Sequence, residues 1–422
     1  MALFAGVSET NITPPPDVWM AGYAARKDRA SGTHDELFAR ALAVDNGHQR
    51  LVLIAADLIA LDGDLVDIVR NSLADEFHTP IESILLHCTH NHSGPVTRVF
   101  SDAAERDPLY IQILVRKLIG VARQALGQMR PAYLTYGESS VQIGVNRRRL
   151  NHEGKAAGGA DIAGPIAPIV QTLCVNGSDG RMFAQLFSHA CHPTTLRENN
   201  RLLSADWPGA AVTHLRSRFH AEAQDVGVEE TALPIFLQGC CGDIDPIRGQ
   251  GWDAVIENGS LVANAAHTAR WNAHGRLDET LQSDEIEIEL PVNRAASEDV
   301  SMLSPEAQRQ ETIPLRLQRL TLGGVHMLGF PAEMFVQYQI DFSRQSSAPV
   351  FSLSCTNGCK GYIPTRAEHA IGGYEVEEAP RYYGMRAYSP DCERIVRDAV
   401  YRLLGVEDPD TTPYPLIHGR GT

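Results

Sequence analysis

Two histidines stand one residue apart in Thr89-His90-Asn91-His92-Ser93-Gly94-Pro95, directly after the apolar run Ile84-Leu85-Leu86. An apolar run stopped by Gly-Pro reads as a buried strand that delivers polar groups into a loop. A strand end is a rigid mount from which an imidazole can be aimed at a metal ion or a substrate. The pattern recurs. Ala184-Gln185-Leu186-Phe187 runs into Ser188-His189-Ala190-Cys191-His192-Pro193, and Leu233-Pro234-Ile235-Phe236-Leu237 runs into a turn carrying Cys240, Cys241, Asp243 and Asp245. Val325-His326-Met327-Leu328-Gly329 leads to Pro331-Ala332-Glu333, and Val350-Phe351-Ser352-Leu353 leads to Asn357-Gly358-Cys359-Lys360-Gly361-Tyr362. Five apolar runs that end in small-residue turns bearing His, Asp, Glu or Tyr predict one pocket at a sheet edge.

Two histidines, a glutamate and a tyrosine can hold zinc in tetrahedral geometry, with a position left for water in a catalytic site. Water on such an ion falls to a pKa near ~7. His and Asp clusters also suit iron or manganese, so the residues do not choose the metal. Cys355 and Cys359 have ligand-like spacing but no second pair of that kind accompanies them.

The elements that must position these groups follow from periodicity. Residues 51–57 read as a buried strand, and 64–76 and 107–127 as helices. Residues 169–187 read as a hairpin about Asn176-Gly177-Ser178-Asp179-Gly180, and 312–330 as a second one about Gly323-Gly324. Residues 151–168 are a Gly- and Pro-rich loop. Helices are expected over 206–222, 252–274, 333–345 and 390–404, and 283–290 alternates charge with apolar residues as an exposed strand does. The fold class is α/β: mixed β-sheets layered with covering helices, in one domain over 1–405, followed by a tail at 406–422.

The chain has 422 residues, 43% hydrophobic and 21% charged, with a net charge of −15. That composition is globular, and the negative charge argues against nucleic acid or an anionic membrane as partner. No segment approaches the ~20 apolar residues of a membrane span. Met1 to Val7 lack a basic start and a long apolar stretch, which points to a cytoplasmic chain. Its eight cysteines are then expected to be reduced thiols. Self-association into a homo-oligomer is left open.

Taken together, the motifs resemble those of neutral ceramidases. Thr89 to Pro95 resembles that family's Thr-His-Thr-His-Ser-Gly-Pro, and His192 followed by Ser204-Ala205-Asp206 its second histidine block. Gln238 to Pro246 resembles Gly-Asp-Val-Ser-Pro, Pro331-Ala332-Glu333 resembles Pro-Gly-Glu, and Tyr362-Ile363-Pro364-Thr365 with Tyr374-Glu375 resembles the tyrosine block. The resemblance implies the ceramidase catalytic-domain fold and one zinc held by His90, His192, Glu333 and Tyr362. It implies that His92 and Tyr374 face the reacting carbonyl and that an arginine of 147–149 reaches the site, Arg149 aligning best and Arg147 being its rival. His189 sits at the wrong spacing for a ligand and reads as a supporting or core residue.

The departures are informative. The family's serine nucleophile corresponds to Asp245, which cannot copy an activated hydroxyl but can act as a base toward zinc-bound water. Asp243 matches the family's aspartate and orients the loop. Cys240 or Cys241 is the alternative covalent nucleophile. The chain ends near where the family's C-terminal β-sandwich would start, and no long apolar entrance surrounds Gly372 to Glu375 or Arg381 to Tyr383. The expected function is a zinc-dependent hydrolase that cleaves an amide C–N bond of a small polar molecule, with Asp245 as proton shuttle. Ester or lactone hydrolysis, a metal-dependent lyase or isomerase acting on a sugar-like carbonyl compound, and a non-catalytic binding protein are the alternatives.

Overall fold

The structure is a computed structural model that describes residues 2–100, 105–273, 275–294, 303–407 and 409. Apolar residues on both sides of a strand require cover on both faces. In Phe38–Asp45 and Arg50–Ala56, Ala41, Ala43, Val52 and Ile54 pack under the helices Gly63–Phe77 and Pro108–Gly127. Their neighbours Leu42, Val44, Leu51 and Leu53 point the other way, into a core shared with a second sheet. The result is four layers: helices, an eight-stranded sheet, a four-stranded sheet and further helices.

The large sheet has the strand order Leu233–Gln238, Met182–His189, Ile169–Gly177, Arg130–Ser140, Leu3–Asn11, Phe38–Asp45, Arg50–Ala56, Ile84–Cys88. Both edge strands run parallel to their inner neighbours and all other pairs are antiparallel. The small sheet has the order Leu281–Pro291, Thr312–Leu322, Val325–Gly329, Val350–Leu353. One of its faces carries Leu320, Leu322, Met327 and Phe351 into the intersheet core. The other, with Ile288, Leu290, Leu315 and Leu317, lies under the helices Val336–Gln345 and Cys392–Leu404. The helices Asp206–Asp225 and Trp252–Trp271 cover the far end of the large sheet. A Cβ on Gly137 would lie 2.0 Å from the carbonyl oxygen of Ala269, so that strand can pass this close to the last helix only as glycine.

Most expected elements are present within a few residues. The helix expected at 107–127 spans Pro108–Gly127, with Asp107 accepting from the backbone N–H of Tyr110 and Pro108 in the first turn. The expected hairpins are Ile169–Gly177 with Met182–His189, and Thr312–Leu322 with Val325–Gly329. The helix expected from residue 333 begins instead at Val336. Glu333–Met334 is a two-residue strand paired in parallel with Tyr362–Ile363, and the N–H of Val336 is taken by the Asp243 carboxylate at 2.7 Å. A distant side chain thus satisfies a helix-start donor and sets where the helix begins. Among the described residues no helix is long and apolar enough to cross a membrane. Of the tail expected at 406–422, residue 408 and residues 410–422 lie outside the described residues.

Backbone hydrogen bonds stitch the five strand ends together. Cys88 N–H donates to Cys355 O (3.1 Å), Ser354 to Gln238 O (3.2 Å), Gly239 to His189 O (3.0 Å) and Glu333 to Gly361 O (2.9 Å). The two edges of the large sheet are joined by His87, whose Nε2 accepts from Gln238 N–H at 2.8 Å while Nδ1 meets Thr356 Oγ1 at 3.1 Å. Burial, then His90, pushes His87 down to about 3, so it serves as a neutral bridge.

Trp207 ties this core to the site, since its ring packs 4.9 Å from that of Phe236 and its Nε1 donates to His192 O at 3.1 Å. Trp207→Ala should lower stability by about 3–5 kcal/mol. Trp207→Phe should keep most of the packing and lose about 1 kcal/mol for the missing hydrogen bond. Denaturant midpoints of the two variants check this, and an unchanged midpoint in Trp207→Phe would show that the hydrogen bond to the His192 carbonyl contributes nothing.

Candidate active site

His90 leaves its strand in a left-handed conformation (φ 64°), which costs a non-glycine residue energy and is held here by Thr89 N–H to Ala56 O and Asn91 N–H to Leu58 O. This turn aims the imidazole inward. Its Nδ1 donates to Ile59 O at 2.9 Å, that of His92 to Gly22 O at 3.0 Å, and that of His192 to Ile244 O at 3.2 Å. A carbonyl can only accept, so each ring carries its proton on Nδ1 and turns Nε2 toward the others. The Nε2 atoms of His90 and His92 are 3.2 Å apart, and Glu333 Oε2 lies 3.0 Å from that of His90 and 2.9 Å from that of His192.

All four side chains are buried. Burial, then His90, pushes His92 well below its ordinary value, and burial, then Arg147, lowers His192. Burial works against ionisation of Glu333, but His90 and then His192 outweigh it and hold that carboxyl well below the usual range. Against burial, Glu333 in turn holds His90 up, so without an ion the positive charge that this buried carboxylate needs sits on His90, and a divalent cation can take its place. The donor set suits a divalent cation: His90, His92 and His192 place one nitrogen each within 4.8 Å of one another, and Glu333 adds an anionic oxygen.

Of the four residues expected as ligands, His90, His192 and Glu333 meet directly. Tyr362 is the strand partner of Glu333, and its hydroxyl accepts from Arg147 Nη2 at 3.2 Å. His92, expected to face the carbonyl, has its Nε2 in the donor cluster and also lines the adjoining cleft. Tyr374 stands at that cleft, 44% exposed, with its ring 6.1 Å from that of Tyr362. Arg149, the better-aligned arginine, is not brought to the site. It is exposed, its N–H is tied to Gly159 O, and its side chain lies beside Gly159. Arg147 is there instead, donating to Asp245 (3.2 Å), Glu375 (2.8 Å) and Gly242 O (2.8 Å).

Asp245 sits between Arg147 and Arg197, the latter 3.1 Å away. Burial raises its carboxyl, but Arg147, then His192 and Arg197, pull it far below the usual range, so it is ionised. Cys240 and Cys241 are fully buried, and burial raises both thiols, which leaves them weak nucleophiles. His189 is a core residue: Nδ1 donates to Ile169 O at 3.1 Å, and burial lowers it to about 4. Cys355 and Cys359 lie with their sulfurs 3.8 Å apart, and all eight cysteines are unpaired and buried.

Two residues escaped the sequence analysis. The Tyr383 hydroxyl donates to Glu333 Oε1, leaving Oε2 for the histidines. Arg197 holds the far side of Asp245. Neither follows a strand end or a motif block, and only the cluster of aromatic residues at 382–383 hinted at the first.

Residues 4–317 match the family described as neutral/alkaline non-lysosomal ceramidase, N-terminal. Among solved structures, the neutral ceramidase from Pseudomonas aeruginosa superposes with a TM-score of 0.78 at 20% identity, covering 98% of this chain and 77% of that one. A ceramidase complexed with C2 gives a TM-score of 0.77, again at 20% identity and with the same coverage of 98% and 77%. The chain belongs to the neutral/alkaline non-lysosomal ceramidase family. Family and fold together support a hydrolase acting on an amide bond.

Asp243 generates a test of the site's electrostatics. Its carboxylate accepts from Val336 N–H and from Asn146 Nδ2 at 2.9 Å, yet burial raises it to about 7, with the Val336 hydrogen bond opposing. A raised folded-state value means that the folded protein holds this proton more tightly than the unfolded chain does. The associated stability is fully present below about pH 4 and is lost as pH rises through about 7. Asp243→Asn cannot ionise, so the stability of the wild type relative to the variant should fall across that window. Urea midpoints at fixed metal content check this, and parallel pH curves would refute it.

Proposed function

We propose that this protein is a zinc-dependent amidohydrolase acting on a small, water-soluble N-acyl compound. The observation that carries the reading is the convergence of the imidazole Nε2 atoms and Glu333 Oε2, each ring being locked by a backbone carbonyl. His90, His192 and Glu333 would hold the ion, with Tyr362 as the fourth ligand. A zinc ion bound there supplies an activated water and a Lewis acid for the substrate carbonyl.

The chain's own groups do the rest. Tyr374 has no hydrogen-bond partner for its hydroxyl among the described residues, and burial, then Glu333, raises its phenol so that it keeps its proton. It donates to the oxygen that gains charge as the carbonyl is attacked. His92, hydrogen-bonded to Gly22 O, forms the opposite wall. Arg147 fixes the Tyr362 oxygen. Asp245 takes the place of the family's serine. An anion held by two guanidiniums has low proton affinity, so the shuttle role expected for it is subordinate to another: it orients Arg147 and Arg197 beside the substrate. The unpaired thiols support a reducing, cytoplasmic setting.

Elemental analysis should find about one zinc per chain, matching the one cluster of this kind among the described residues. His90→Ala and Glu333→Ala should each weaken zinc binding by more than the ~10–100-fold typical of losing an outer partner. Full metal content in both variants would remove the ligand assignment. Reaction in heavy-oxygen water should place one solvent oxygen in the carboxylate product, and its absence would point to lyase or isomerase chemistry.

A further inference from the structure

Arg26 is buried, and among the described residues its guanidinium makes four hydrogen bonds, all to backbone carbonyls and none to a carboxylate. Nη1 donates to Ala21 O at 2.7 Å and to His92 O at 3.1 Å. Nε and Nη2, which form the side edge of the fork, donate to Glu198 O and Arg197 O, both at 3.3 Å. Burial pushes the group down to about 10, with Tyr23 and then Glu198 opposing, so it stays charged at neutral pH. A buried charge solvated only by carbonyls is a poor source of stability, because an apolar side chain of similar size costs less to bury. Its value lies in what it holds together.

The four carbonyls belong to three stretches of chain that meet at the candidate site. The first is residues 20–24, which line the cleft together with His92. Gly22 O accepts the His92 Nδ1 proton at 3.0 Å, and the approach is so close that a Cβ on Gly22 would lie 2.6 Å from that nitrogen. The second is the His92 turn itself, where Gly94 O accepts from Ala21 N–H at 3.0 Å. The third is the turn at Arg197, which has a left-handed backbone (φ 59°) and whose Nη1 donates to Asp245 at 3.1 Å. The Tyr23 ring lies against two of these groups, 5.0 Å from the Arg26 guanidinium carbon and 5.3 Å from the His92 ring.

We propose that Arg26 is a positioning residue for His92: it pins residues 20–24 to the His92 turn and to Arg197, which keeps Gly22 O on Nδ1 and so fixes the tautomer that turns Nε2 inward. This role is independent of which bond the site cleaves. The planar fork suits it. Three nitrogens in fixed directions reach three segments at once, whereas lysine offers one nitrogen on a flexible stem. Lysine therefore replaces the charge but not the clamp.

Nuclear magnetic resonance of the full chain in the presence of zinc, with heavy nitrogen in its histidines and arginines, tests this. The Nδ1 protons of His90, His92 and His192 are buried and hydrogen-bonded, so each should exchange slowly with solvent. In Arg26→Lys and Arg26→Met the His92 proton should exchange at least ~tenfold faster relative to those of His90 and His192. Equal acceleration of all three protons would show that Arg26 acts on stability alone and would overturn the role. Full protection of His92 in Arg26→Lys would show that charge suffices and would overturn the clamp. Should neither variant fold, the unmodified protein decides: Arg26 Nε–H and His92 Nδ1–H should open together, with protection equal to within ~threefold. A wider gap would mean that the two open separately, and the clamp falls.

Discussion

Everything in the site depends on three backbone carbonyls. Ile59 O, Gly22 O and Ile244 O each take the Nδ1 proton of one imidazole, which fixes both its tautomer and its ring orientation. The imidazole Nε2 atoms and a carboxylate oxygen then meet in a buried space where, against burial, Glu333 holds His90 up. That arrangement needs positive charge among the donors, which a protonated His90 supplies and a divalent cation could replace. The left-handed turn at His90 and the delayed start of the helix at Val336 are local distortions that this convergence imposes.

The fold makes the convergence possible by burying strands on both faces and then letting them end together. A helix on one side and a second sheet on the other leave the strands of the large sheet no freedom to shift, and hydrogen bonds among Cys88, Gln238, Gly239, Ser354 and Glu333 weld the ends. Around the donor cluster lies a ring of buried ion pairs: Arg147 with Asp245 and Glu375, and Arg148 with Glu368 and Glu375. Burying such charges is costly unless every member is paired. Their value here lies in placing Arg147 and Tyr362 at fixed positions.

The parts of this arrangement that local chemistry controls could be read from the chain. Continuous apolar runs such as Leu51 to Ala56 announce strands covered on both faces, and Asp107-Pro108 announces a helix start. His90, His192 and Glu333 were legible because each closes such a run. The remaining members are set by partners far away in sequence. Nothing within Arg147-Arg148-Arg149 says which guanidinium turns inward; Asp245, Glu368 and Glu375 decide that. Likewise Tyr383 finds Glu333 only after the chain between them has folded back. The helix boundary at Val336 was missed for the same reason, since its cap is the side chain of Asp243.

The pairing of Glu333 with Tyr362 across a two-residue parallel bridge has a consequence for assembly. In small zinc modules the liganding residues are neighbours, and the ion can nucleate the structure. Here the donors come from segments separated by most of the chain and meet only when both sheets are docked. Any cation taken up here would therefore be held only after the two sheets have docked.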